Sequence, residues 1–298
     1  MKVGIIGGGA VGLFFAASLS QWFPVTVFTR TQEQAHTIQT KGIKVEEAGE
    51  LSVRFPEAAP MDQFSRHAMD CIFIAVKQYQ LPAILERLKE SSLSPALIFL
   101  QNGMSHLTVL KTLPHQHLYV AAVEHGVLKS DTADIHVRGR GQTKIAVFRG
   151  DERAISAIVE QAAPSFPFEW KADYESMLLG KMAANSVINP LTAVLRVTNG
   201  ELISNPYYLK MAKTIYREFS SVFANKLSAG AWEEIVHICR KTAPNRSSML
   251  KDIESKRPTE VDAILGYVLS QAAEKDLKLP ALQALYYMIK GLEYKEAE

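Results

Sequence analysis

In the first half of the chain, short apolar runs alternate with longer amphipathic stretches. Lys2 to Ile6 is a continuous apolar run after its first residue, as a strand buried on both faces requires. Ala10 to Leu19, rich in Leu, Phe and Ala, predicts a helix, and Val25 to Phe28 a second strand. Ile43 to Phe55 alternates apolar and polar residues around Gly49, the pattern of a hairpin insertion. Cys71 to Val76 and Ala96 to Leu100 predict two more buried strands around a helix from Pro82 to Leu93, and Leu118 to Val123 predicts another. Thr143 to Phe148 and Phe168 to Trp170 complete the sheet on either side of a helix from Ala154 to Ala163. Strands alternating with helices predict an α/β, doubly wound, parallel sheet.

After Asp173 the strand signal stops. A helix is expected from Asp173 to Val194, and Asn205 with Pro206 reads as a cap followed by Pro at the first helical position. Behind it Ile215, Phe219, Val222, Phe223 and Leu227 recur at helical spacing, and Gly230 marks the end. Trp232 to Arg240, Ser247 to Glu254, Thr259 to Ala273 and Ala281 to Tyr294 predict further helices. The expected organisation is therefore an α/β domain over residues 1–170 and an all-α domain over 171–298.

Composition narrows the function classes. The 298 residues suit about two domains, and a chain of this size needs no disulfide or metal staple. The formal charge of +2 leaves too few cations in excess for a nucleic-acid partner. Cys71 and Cys239 stand in apolar contexts without a CxxC and read as buried hydrophobes in a reducing compartment. Glycines at 4, 7, 8, 9 and 12 interrupt the apolar run that a signal peptide would need near the start. No run approaches the roughly 20 apolar residues of a membrane span. A cytoplasmic location without a membrane partner is expected, and the apolar C-terminal helices suit either an intramolecular core or a homodimer interface.

Those same glycines carry the first chemical signal. Gly7, Gly8, Gly9, Ala10, Val11 and Gly12 fit G-x-G-x-x-G directly after the first strand and at the opening of the first helix, which makes the sheet Rossmann-type. Gly7 permits the tight turn, Gly9 the approach of backbone N–H groups to a pyrophosphate, and Gly12 close helix–strand packing. The helix N-terminus adds partial positive charge. The second strand ends Phe28, Thr29, Arg30, Thr31, with no acid before Glu33 to take a ribose 2′-hydroxyl. Arg30 suits a 2′-phosphate, aided by the hydroxyls of Thr29 and Thr31, so NADPH/NADP+ is expected over NAD(H). Lys77 and Asn102 follow two other strands at the same sheet edge, where open α/β sheets bind ligands.

Lys181, Asn185 and Asn189 are spaced by four on one predicted helix, and successive fours rotate by about 40°, so they share a face. Apolar neighbours such as Met182, Val187 and Leu191 suit burial, where amides and an ammonium need partners. A structural polar network would satisfy that need; so would a cleft in which the amides orient a small ligand and a partly desolvated Lys donates a proton. Asn245 to Asp252, with Thr259 and Glu260, forms a second polar cluster, in which Asn245 or Ser247 could simply cap a helix.

Taken together, the glycine loop, Val76-Lys77, Asn102-Gly103-Met104, the segment Lys181 to Ala193, Asn199 to Leu202 and Asn245 to Asp252 resemble the ketopantoate reductase (2-dehydropantoate 2-reductase) family. The resemblance implies NADPH-dependent reduction of the 2-keto group of ketopantoate to (R)-pantoate, a step toward pantothenate and coenzyme A. It implies that Lys181 is the catalytic proton donor and that Asn185, Asn189, Asn199 and Ser248 bind substrate. It further implies that Asn102 lies where cofactor and substrate meet, and that Lys77, the backbone near Val127, and Glu260 contact the cofactor. Asp252 matches a family acid near the site. Two positions are locally variable in the family: Gly8 is the free position of the loop, and small residues also occur where Val127 stands. The cleft between the sheet edge and the helical domain is the expected place for both ligands.

Two other readings keep part of this set. A reductase of another 2-oxo acid or imine would keep fold and cofactor, and a non-catalytic NADPH sensor would need no Lys181. No G-x-S-x-G supports a hydrolase. His115 and His117 read as a solvated turn with no metal site; His125 follows a strand and could approach the cofactor, but Lys181 is the better acid.

Overall fold

The structure is a computed structural model that describes residues 1–89 and 94–294. The end of the helix expected to reach Leu93 and the polar tail beyond Tyr294 lie outside the described residues. The chain divides into two compact units: Met1–Gln101 with Thr108–Tyr174, and Asn102–Leu107 with Glu175–Glu298.

In chain order the elements before residue 174 are β1 (Val3–Ile6), α1 (Ala10–Leu19), β2 (Val25–Thr29), α2 (Gln32–Lys41), β3 (Ile43–Glu47), β4 (Glu50–Arg54), β5 (Glu57–Pro60), β6 (Cys71–Ile74), α3 (Leu81–Lys89), β7 (Ala96–Phe99), α4 (His106–Leu110), β8 (Leu118–Val123), β9 (Gly126–Lys129), β10 (Asp134–Gly139), β11 (Thr143–Arg149), α5 (Ser156–Ala162) and β12 (Phe168–Trp170). An eight-stranded sheet runs β12-β11-β8-β7-β6-β1-β2-β5. Its pairs are parallel except β11 on β8, which is antiparallel and departs from the purely parallel expectation. The apolar runs are continuous because both sheet faces are covered. Val3, Ile5, Val27 and Phe73 pack with α1, where Phe15 meets Phe73 at 5.5 Å and Phe166 at 4.9 Å between ring centroids. On the opposite face Phe28 meets Phe64 edge-on at 5.0 Å.

A second sheet, β4-β3-β10-β9, was not expected. The β3–β4 hairpin does turn at Gly49, but β3 also pairs in parallel with β10, and β10 is antiparallel to β9. The polar helix α2, which buries only Ala35 and Ile38, and the short strand β5 also lie outside the sequence expectation. His115 corrects another expectation: it is buried, not solvated, and the Arg149 guanidinium that donates to its carbonyl at 3.1 Å helps push its pKa down, after burial itself. His125 is a packing residue, stacked on Phe166 at 5.0 Å, with Nδ1 accepting from the Gly141 amide at 3.2 Å.

The second unit is helical. After α6 (Tyr174–Leu195) come α7 (Glu201–Ser204), α8 (Pro206–Phe223), α9 (Ala231–Lys241), α10 (Ser248–Glu254), a π-helical turn Asp262–Gly266, α11 (Tyr267–Ala273) and α12 (Pro280–Glu293). Asn205 caps α8 as expected, its Oδ1 accepting from the Tyr207 amide at 2.9 Å. That helix ends at Phe223, so Leu227 and Gly230 fall beyond it. Among the described residues no helix is long and apolar enough to cross a membrane. Both cysteines are free and buried, and burial pushes both thiols up.

Candidate active site

In the first unit the glycine loop joins β1 to α1 at the carboxyl ends of the parallel strands. Gly7 has φ +119, a conformation that L side chains rarely adopt, and a Cβ there would stand 2.9 Å from the Ala75 carbonyl oxygen. A Cβ on Gly12 would lie 1.9 Å from the carbonyl oxygen of Gly7, so α1 can start this close only on glycine. At Gly9 the case is different. It is exposed, and a Cβ built on it meets nothing within 4 Å. No packing demand keeps a side chain off Gly9; the space is open for a ligand. The first turn of α1 carries no acid to oppose an anion. On these observations the loop fits a dinucleotide pyrophosphate, with Ala10 and Val11 in the helix's first turn.

Arg30 follows β2 directly and is exposed. The hydroxyls expected to help it have structural work instead. Thr29 is buried and donates to the Thr31 carbonyl at 2.8 Å, and the Thr31 hydroxyl caps α2 by accepting from the Gln34 amide at 3.3 Å. Lys77 lies just beyond β6, half-buried, two residues from the Ala75 carbonyl that closes on Gly7. Val127 sits in the middle of β9, half-buried against the core under α1.

The loop also has partners that sequence reasoning missed. The Gly8 carbonyl accepts from Gln34 Nε2 at 2.8 Å and from Lys129 Nζ at 2.9 Å. Lys129 shares a strand face with Val127, two residues earlier. Burial lowers its pKa below the ordinary lysine range; Asp131 opposes this, and the positive charge of Arg30 adds a smaller push downward. No local pattern announces Lys129, because β9 reaches the loop only through the second sheet.

In the second unit α6 carries Lys181 and Asn185 half-buried, and Asn189 buried, on one helix face at successive intervals of four. Their neighbours Met182, Val187 and Leu191 are fully buried. The Thr192 hydroxyl donates to the Asn189 carbonyl at 3.0 Å and lies 2.7 Å from Ser247 Oγ, with which it shares a hydroxyl–hydroxyl hydrogen bond. Ser247 in turn caps α10, accepting from the Leu250 amide at 3.1 Å. The cap is therefore Ser247 and not Asn245, and it ties the start of α10 to α6. Ser248 follows as the first residue of α10 and is exposed.

Asn199 is buried, and its Nδ2 donates to Thr242 Oγ1 at 2.9 Å. Its backbone amide reaches the Asn245 carbonyl at 2.9 Å, which joins the two polar segments noted in the sequence. Asp252 is buried as well, with Arg257 Nε donating to it at 3.1 Å.

Asn102 belongs to this unit through the short segment Asn102–Leu107. Its Nδ2 donates to Glu260 Oε2 at 2.8 Å. An ionised carboxylate only accepts, so the amide nitrogen must face it and Oδ1 is left as the acceptor. Gly103, at φ +77, holds the turn, and a Cβ there would come within 2.2 Å of the Ala263 carbonyl in the π-helical turn. The segment is thus fitted closely against residues 260–263. Chemically, these residues offer the Lys181 ammonium, several amides and an acid-positioned asparagine, a set suited to binding a small polar molecule and protonating an oxygen.

Comparison with known proteins matches this chain to the family described as ketopantoate reductase PanE/ApbA over residues 3–150 and to its C-terminal part over residues 173–293. It is 41% identical to the 2-dehydropantoate 2-reductase of Bacillus subtilis (strain 168), with 98% of each chain covered. It is 37% identical to the 2-dehydropantoate 2-reductase of Listeria monocytogenes, covering 98% of this chain and 97% of that protein. Among solved structures, the probable 2-dehydropantoate 2-reductase from Bacillus subtilis superposes with a TM-score of 0.88 at 38% identity, over 98% of this chain and 100% of that one.

Proposed function

Because the chain belongs to the ketopantoate reductase family, we propose that it reduces the 2-keto group of 2-dehydropantoate to (R)-pantoate with NADPH. The observation that carries the reading is the α6 face, where Lys181 stands in line with Asn185 and Asn189 among mostly apolar buried neighbours. An apolar helix has no packing use for an ammonium and two amides in a row, whereas a keto acid needs all three.

The glycine loop from Gly7 to Gly12, Arg30, Lys77, Val127 and Glu260 hold the cofactor in this reading, and bound NADPH supplies the hydride. Lys181 Nζ carries the proton for the carbonyl oxygen. Negative charge grows on that oxygen as the carbonyl is reduced, so a fixed cation stabilises the transition state more than the ground state. Asn185, Asn189, Asn199 and Ser248 bind the carboxylate and hydroxyl groups of the substrate. Asn102, turned by Glu260 to present Oδ1, orients the ligands at the reacting end. The buried apolar neighbours Met182, Val187 and Leu191 lower the polarity beside Lys181, Asn185 and Asn189, which strengthens the interactions made there. A cytoplasmic location completes the reading; two free thiols support it.

The test follows NADPH absorbance with 2-dehydropantoate and, in parallel, with a panel of other 2-oxo acids and imines. Oxidation dependent on 2-dehydropantoate and fastest with it is the expected result. Absence of any such oxidation would overturn the proposal.

A further inference from the structure

Lys129 lies 121 residues along the chain from Gly8, yet the fold seats its Nζ 2.9 Å from that residue's carbonyl. A neutral carbonyl is a modest partner for a half-buried ammonium, and a second cation, Arg30, is near enough to depress its pKa. The half-burial of one ammonium, with a like charge near enough to act on it, raises the free energy of the empty site, and an anion at this end of β2 relieves both. Asp131, in the turn after β9, more than offsets the effect of Arg30 and leaves burial as the main cost to Lys129, and its Oδ1 also accepts from the Thr132 amide at 2.7 Å.

We infer that Lys129 and Arg30 together form the subsite for the 2′-phosphate on the adenosine ribose, and that Lys129 exchanges the Gly8 carbonyl for a phosphate oxygen when NADPH binds. The position fits, because the end of the second strand is where this fold reads the ribose 2′ position. The exchange leaves no orphan acceptor. Gln34 Nε2 still donates to the Gly8 carbonyl at 2.8 Å and is held in place by its own bond to the Thr132 carbonyl at 2.7 Å. NADH brings no 2′-phosphate and gains nothing from Lys129, so the residue sets preference between the two nucleotides and does not add to nucleotide binding in general.

The inference rests on the NADPH reading above, and direct binding separates the two. NADPH and NADH are titrated by nucleotide fluorescence against the wild-type protein, Lys129→Gln, Lys129→Arg and Arg30→Ala, with melting temperatures recorded for each. The wild type is expected to prefer NADPH. Lys129→Gln should weaken NADPH binding roughly tenfold to a hundredfold, the scale of one charge-assisted hydrogen bond, with NADH nearly unchanged. Lys129→Arg should keep most of the preference. Equal loss for both nucleotides would reduce Lys129 to a prop for the loop and overturn the inference, as would NADPH affinity unchanged in Lys129→Gln. A wild type without preference for NADPH would overturn the cofactor reading itself. Should Lys129→Gln melt too low to titrate, Arg30→Ala decides the inference: with Lys129 still in place it must keep a residual preference for NADPH over NADH that falls with ionic strength, and no residual preference refutes it.

Discussion

Gly9 and Gly12 stand three residues apart in the same loop, and the structure gives them opposite reasons for being glycine. Gly9→Ala places a methyl where no protein atom lies within 4 Å, on a residue whose φ of −81° suits any L side chain. Alanine is a somewhat poorer helix N-cap than glycine, but it also stiffens the unfolded chain by about 0.4–1 kcal/mol. These effects nearly cancel, so the melting temperature should stay within about 2 °C of wild type. Binding should not survive as well. The methyl enters the space reserved for the pyrophosphate and costs one or two charge-assisted backbone bonds at about 1.5–3 kcal/mol each, so NADPH affinity should fall at least tenfold. Gly12→Ala drives its methyl to 1.9 Å from the backbone oxygen of Gly7, an overlap that only backbone movement can relieve. It should cost about 1–3 kcal/mol or more, and lower the melting temperature by several degrees even without ligand. Differential scanning fluorimetry and NADPH titration on both variants decide the matter. A Gly9→Ala protein that binds NADPH like wild type would refute the view that the open space at Gly9 belongs to the nucleotide.

Other outcomes follow from the same geometry. Lys181→Ala should reduce kcat by a factor of about 100 or more while NADPH affinity, measured by fluorescence, changes little; a parallel loss of both would make Lys181 a binding residue. Glu260→Gln replaces an obligate acceptor with a group that can also donate, so Asn102 is free to turn over. Its kcat/KM should drop about tenfold, with Glu260→Asp recovering less than half of the loss. His106 is fully buried, and burial lowers its pKa from 6.5 to about 4. The unfolded chain therefore takes up a proton that the folded one refuses, and stability present above pH 6.5 is lost as pH falls toward 4. Between pH 7 and 5 urea denaturation of wild type should lose about 2 kcal/mol more than His106→Leu, and equal losses would remove His106 as the cause.

Local pattern carried the sequence reading furthest. The predicted helix Ala10 to Leu19 and strand Leu118 to Val123 have the bounds seen in α1 and β8, because each is an apolar run with glycine or polar residues at its ends. Lys181, Asn185 and Asn189 could be placed on one face from their spacing alone. What stayed hidden depends on partners remote in sequence. Ile43 to Glu47 looks like one arm of a hairpin, but nothing local says that it also pairs with Asp134 to Val137. Lys129 owes its place at the glycine loop to that second sheet. His115 reads as a polar turn beside Pro114, yet Arg149 from β11 satisfies the surrounding carbonyls and lets the turn be buried. The stretch Thr259 to Ala273 predicts a single helix, but its start widens into a π turn where Gly103 closes on the Ala263 carbonyl.

The four-stranded sheet divides its labour between its borders. β9 grips the glycine loop through Lys129, whereas the far border, β4, is exposed at Glu50 and Leu51, where it leaves the β3–β4 turn at Ala48 and Gly49. A protein engineer could splice an epitope or a fluorophore tether into that distant bend and leave coenzyme capture intact.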